Sequence, residues 1–268
     1  MSGTFISQQQ FDDIDACMLY IETLNSAVSG FNGAAEVGQK YGLTHPPTVE
    51  MREGETQARL WRLKTEPSFY RFIADHIDEL APFTEFLSAY IRGLSPVQRK
   101  GTVSSLSGLS FPPGLYPRSS AEPITDCLSL LQYHQKWVWA FSELFRIANS
   151  GYDAIREAIY RVLPRVFDFM AVHLQIAASK NLSPKRLSAA RDHADTVRAH
   201  YWAGMGATAN FLTQHRRIGA LVAQANRRFD QLENIATLSR LDTDMKLTMV
   251  ELKQAQRLSR EIVALRTD

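Results

Sequence analysis

The side chains best suited to chemistry in this chain are seven histidines, two cysteines and the serine-rich run 104–110. A helical di-iron centre needs Glu-x-x-His pairs on facing helices, and the sequence has none. His193 and His200 share a helical face but lie seven residues apart, about 10 Å along the axis, too far for one zinc ion. Asp192-His193 and Asp75-His76 are sequence neighbours, so on a helix their side chains point away from each other. Neither a metal nor a cofactor is expected. Nucleophilic catalysis finds no support either, because residues 104–110 contain no Gly-x-Ser-x-Gly elbow. Gly204-Met205-Gly206 lacks the third glycine and preceding strand of a dinucleotide loop. It reads instead as a close helix crossing, where small residues let backbones approach. Cys17 and Cys127 fall on apolar stripes, so buried free thiols are expected, with a single bridge as the alternative. No enzyme activity is expected.

Two other groups of residues could recognise a partner. Tyr133, His134, Trp137, Trp139 and Phe141 crowd one helical segment. Trp137 and Trp139 are two residues apart and cannot both face one core. A ligand pocket around His134 and Trp137 is the one enzyme-like alternative, and His200-Tyr201-Trp202 poses the same ambiguity. The basic pairs Arg216-Arg217 and Arg227-Arg228 are 11 residues apart, three helical turns, and share a face. They form either a solvated face paired with nearby acids or a contact for phosphates and lipid headgroups. Residues 1–90 carry 6 Lys/Arg and 13 Asp/Glu, residues 91–180 carry 10 and 6, and residues 181–268 carry 14 and 9. An acidic first third thus accompanies two basic thirds, within a net charge of +2. No nucleic-acid motif accompanies the basic residues, so nucleic acid is not an expected partner.

The elements that must position these residues are helical throughout. Phe11, Ile14, Met18 and Ile21 recur at helical steps after Ser7, and Thr48 to Leu63 reads as a second helix. Pro67 interrupts, Phe69 to Leu80 form the next apolar face, and Pro82 begins or kinks another helix. Residues 93–123 hold five prolines and seven serines and show no helical period. Such a stretch marks a linker or a working loop. Its Leu106, Leu109, Phe111, Leu115 and Tyr116 suit packing against another surface, and Val103 to Phe111 has the length of a short hairpin. From Ile124 one helix is expected to close at Gly151 and a second to be kinked or divided at Pro164. Ser183-Pro184 is a helix start, and no proline follows. Unbroken to the end, that helix would span about 80 residues and roughly 120 Å; alternatively, Asp242 caps a separate final helix. Leu238, Leu241, Met245, Leu252, Ile262 and Leu265 follow a seven-residue repeat and predict a coiled-coil seam.

The fold class is therefore all-α, a multi-helix bundle with long C-terminal coiled-coil-like helices, elongated if the last of them is unbroken. Three parts are expected: an acidic helical part (1–92), an insertion (93–123) and a long-helix bundle (124–268). Nothing near residue 1 resembles a signal peptide, and no run reaches the roughly 18 apolar residues of a membrane span. The expectation is a cytoplasmic protein, or one secreted without a cleaved signal. The leading functional reading is a non-enzymatic subunit whose final seam assembles with itself or a protein partner. The layout of long helices around one Gly/Ser/Pro-rich, partly apolar insertion is similar to that of helical pore-forming toxin subunits, although the insertion lacks a strongly hydrophobic tongue. That resemblance implies a peripheral membrane role, with 103–116 and the face carrying Arg216, Arg217, Arg227 and Arg228 meeting an anionic surface.

Overall fold

The computed structural model describes residues 6–29, 56, 67–118, 120, 123–179, 183–231 and 237–265. Among them all regular structure is helical, and the expected all-α bundle is what the chain forms. It comprises two compact units, residues 1–66 with 148–213 and residues 67–147 with 214–268. Helices α3 (Cys127–Ser179) and α4 (Pro184–Asp230) each give one part to the first unit and one to the second. Neither 92 nor 123 is a boundary between these units.

In the first unit, α1 (Gln8–Ser29) opens with a reciprocal cap. The Gln10 N–H donates to Ser7 Oγ at 3.3 Å, and the Ser7 N–H donates to Gln10 Oε1 at 3.0 Å, which satisfies two otherwise orphaned donors. Phe11, Ile14 and Met18 are buried along the stripe that their spacing predicts. Phe211 of α4 receives Phe11 and Tyr152 edge-on, with ring centroids 5.6 and 5.9 Å away. Gly204 carries the expected close crossing. A Cβ there would lie 2.5 Å from Cys17 Cβ and 2.8 Å from the Asp13 carbonyl oxygen, whereas one at Gly206 would meet nothing within 4 Å. The expected helix Thr48 to Leu63 lies outside the described residues.

In the second unit, α2 (Pro67–Gly93) starts with Pro67 at its first helical position, ahead of the apolar face expected from Phe69, and continues through Pro82, which begins no separate helix. An internal proline costs about 3 kcal/mol. Ile73, Ile77, Leu80, Phe83, Leu87 and Ile91, all at most 2% exposed, bury one continuous stripe across it at roughly 1.5–3 kcal/mol each. Burial wins. Helix α3 is likewise continuous, not divided at Gly151 or Pro164.

The C-terminal expectation is resolved as two helices. Helix α4 ends at Asp230, and α5 (Leu238–Ala264) starts separately, capped by Thr237 and not by Asp242. The Arg240 N–H donates to Thr237 Oγ1 at 3.3 Å. Helix α5 packs along α2 within the unit. Gln256 Nε2 donates to the Ala74 carbonyl at 2.8 Å and to Asp78 Oδ1 at 2.7 Å, and Arg260 pairs with the same carboxylate.

Residues 93–118 make no hairpin. They form three single 3-10 turns, η1 (Gln98–Lys100), η2 (Val103–Leu106) and η3 (Pro113–Leu115), as a sequence dense in glycine and proline favours over a ladder. Leu106 is fully buried and Val103 nearly so. Backbone bonds pin the segment at both ends. Leu238 N donates to the Gly101 carbonyl at 2.8 Å, and Cys127 N to the Leu109 carbonyl at 2.9 Å. Asp126 caps α3 by accepting from Ser129 N at 2.8 Å, and its other oxygen accepts from Gly108 N at 3.1 Å. These backbone donors, Ser129 first, hold its carboxyl below the usual carboxylate range.

Candidate functional site

The chemistry-bearing side chains of the second unit collect where α2 faces α3. Helical spacing of three to four residues puts Phe72 and His76 on one face of α2, and Tyr133, Trp137 and Phe141 on one face of α3. Their rings meet: Phe72 with Trp137 at 5.1 Å, His76 with Trp137 at 5.4 Å, and His76 with Phe141 at 5.5 Å. Below them His134 stacks on Phe83 at 5.5 Å and places Nδ1 3.3 Å from His76 Nε2. His134 has no exposed surface, so the pocket expected around His134 and Trp137 is filled by neighbouring rings. As the two-residue spacing required, the tryptophans part: Trp137 joins the ring cluster and Trp139 is 55% exposed. Tyr201 and Trp202 divide in the same way, buried and exposed.

Burial sets the protonation of this interior. It lowers His76 from 6.5 to about 4. It brings His134 well below its usual value, helped by repulsion from His76. His215, which shares a 2.7 Å hydrogen bond with the Tyr70 hydroxyl, is lowered to about 3 by burial and then by Arg216. All three are neutral at pH 7, since burial strips a charged imidazole of its hydration. The same desolvation pushes the Cys17 thiol up to about 12 and Cys127 up to about 11. Both cysteines are free and buried. Thiolate chemistry at neutral pH is unavailable to either.

Beside the rings, α2 and η3 border a cleft of about 510 Å3. Asp75, Asp78 and Glu79 of α2 line it together with His76, Tyr116 and Arg118. Sequence reading missed this acidic set, although its spacing of three and four residues marks one helical face; the facing loop is what makes a concavity of it. Among the described residues no group of three or more His, Cys, Asp and Glu is placed to hold a metal ion.

The predicted contact residues fall into three groups. Leu238, Leu241, Met245, Leu252 and Ile262 are buried, and Leu265 is half-buried. The seam expected to meet a partner is thus packed within its own unit, because α2 presents a continuous apolar stripe of matching length. In the insertion Leu106 is core, Leu109, Phe111 and Leu115 are half-buried, and Tyr116 is exposed. Of the basic pairs, Arg228 is half-buried and bonds Glu251 at 3.1 Å, which makes it an internal ion pair. Arg216, Arg217 and Arg227 are exposed. Among the described residues no helix is long and apolar enough to cross a membrane.

No family model matches the chain, and none of the curated proteins matches it. Among solved structures, the chain is similar to the crystal structure of XaxA from Xenorhabdus nematophila. The TM-score is 0.68, over 98% of this chain and 97% of that one, at 9% sequence identity. At so low an identity the likeness is one of fold, extending over nearly the full length of both proteins.

Proposed function

We propose that this protein is a non-enzymatic helical component of the pore-forming toxin type, which meets a membrane surface. The observation that carries the reading is the end-to-end likeness of fold to XaxA, a helical pore-forming toxin. Fold alone does not define function, but a shared fold covering all but a few per cent of both chains makes a common mode of action the most economical reading. The exposed Arg216, Arg217 and Arg227 supply a basic face for anionic headgroups, each cation near such a surface contributing about 1 kcal/mol. The insertion's exposed Tyr116 adds an aromatic side chain suited to the headgroup region.

Liposome flotation with dye release tests this, using anionic and neutral vesicles at two salt concentrations. Flotation with leakage is the expected result. Flotation that vanishes at high salt and never produces leakage reduces the protein to a basic surface binder. Absence of flotation under every condition removes the membrane reading.

A further inference from the structure

Helices α2 and α3 meet through rings. Phe69 stands edge-on to Phe145 at 5.2 Å, Phe72 to Trp137 at 5.1 Å, and Phe83 stacks on His134 at 5.5 Å. Among these rings His134 Nδ1 and His76 Nε2 share a hydrogen bond of 3.3 Å. Both imidazoles are buried, His76 at 4% exposure and His134 at none. A neutral imidazole offers one N–H and one lone pair, whereas a charged one offers two N–H groups and no acceptor. With both rings charged, N–H would face N–H across that bond. A single charge on His134 fares no better. It leaves a hydrogen on Nε2, which is buried with no hydrogen-bond partner among the described residues.

The charged and titratable groups around the pair do not relieve this. Asp75, Asp78 and Glu79 of α2, with Tyr116 and Arg118 opposite, line a cleft that His76 also borders. Asp78 is held by Gln256 and Arg260 of α5. On α3 Tyr133 packs against both rings, and on α4 Arg228 is paired with Glu251. His134 itself responds only to burial and to repulsion from His76.

We propose that the His76–His134 pair is an acid-sensitive latch, whose protonation parts α2 from α3 and bares the ring-lined faces of both helices. Once parted, both imidazoles regain water and titrate near the ordinary histidine value of about 6.5. The open form then binds more protons than the closed one and gains as pH falls. Below about pH 6.5 the ratio of open to closed rises by up to about tenfold per pH unit for each histidine. The faces so bared carry Phe72, Phe83, Trp137 and Phe141, aromatic side chains that suit a membrane interface. Gating of membrane contact by acid rests on the membrane reading above, whereas the latch does not.

The test follows the full chain from pH 7 to pH 4.5 by the fluorescence of ANS, a dye that lights up on apolar surface, and by far-ultraviolet circular dichroism. Dye binding is expected to rise roughly tenfold as pH falls, before helix content is lost. His134→Gln keeps a hydrogen-bonding side chain but cannot take the proton. It should move the rise to lower pH and make it shallower by one proton, about tenfold per pH unit. Should that variant fail to fold at pH 7, His76→Phe takes its place with the same expectation. No rise, a rise unmoved by the folded variant, or a rise that coincides with loss of helix overturns the proposal, the last being ordinary acid unfolding. Dye release from anionic vesicles at pH 7 and at pH 5 then tests the gate. Leakage at pH 5 alone, shifted to lower pH by the variant, assigns the gating of membrane contact to the latch. Equal leakage at both pH values overturns the gate. The ANS transition without leakage at either pH leaves the latch standing and sinks the membrane reading.

Discussion

His134 Nδ1 stands 3.3 Å from His76 Nε2 inside the second unit, close enough to share one proton and too close for both rings to be charged. Burial lowers both pKa values, that of His76 to about 4. The unfolded chain, with histidines near 6.5, therefore binds more protons than the folded one between about pH 6.5 and 4. Stability is complete above that window and is lost as pH falls through it, at about 1.4 kcal/mol per pH unit for each such histidine. The urea midpoint of the second unit, followed by tryptophan fluorescence, should drop steadily from pH 7 to pH 4.5. His76→Phe should flatten that slope by roughly one histidine's share. A midpoint independent of pH would show that these imidazoles are not buried as described.

Gly204 and Gly206 offer a paired test of the α1–α4 crossing. Gly204→Ala places a methyl 2.5 Å from Cys17 Cβ and 2.8 Å from a backbone oxygen, neither of which is a flexible tip. Overpacking of this kind costs about 1–3 kcal/mol. Gly206→Ala meets nothing within 4 Å and should gain up to about 1 kcal/mol in helix propensity. Thermal melting should therefore move in opposite directions for the two variants.

Leu252 distinguishes packing within the chain from assembly between chains. It is 1% exposed, so Leu252→Ala should cost about 2–5 kcal/mol at any protein concentration. Val250, 68% exposed on the same helix, should tolerate alanine with little change. A Leu252 variant that lowers oligomer size and leaves the monomer's melting temperature untouched would restore the intermolecular seam.

Asp126 links the insertion to the start of α3 through two backbone donors. Asp126→Ala should cost about 0.5–2 kcal/mol as a lost helix cap. It should also raise amide exchange at Gly108 and Ser129 above that of neighbouring residues. Unchanged exchange at Gly108 would mean that the loop is held by the burial of Leu106 alone.

Much of the local structure was legible in the residues themselves. The helix start after Ser7, the close approach at Gly204 and the parting of Trp137 from Trp139 each follow from side-chain type and spacing. Prolines misled where burial outweighed their cost: Pro82 marks no boundary because the apolar stripe on either side of it is continuous. The heptad at Leu238 to Ile262 suits an intermolecular seam as well as an internal one, since spacing records which face is apolar but not which surface covers it. The acidic cleft went unseen because Asp75, Asp78 and Glu79 become a concavity only when Tyr116 and Arg118, some forty residues away, fold over them.

Periodicity by itself determined that this chain is all-α, which residues are apolar on each helix, and that no zinc, di-iron or nucleophile motif is present, because these depend on neighbours within a few residues. Only the tertiary structure decided that α5 packs along α2, that Arg228 spends its charge on Glu251, and that His76 and His134 meet. Those pairings join residues 23 to 182 positions apart. Their stability comes from desolvation and packing, which no local pattern encodes.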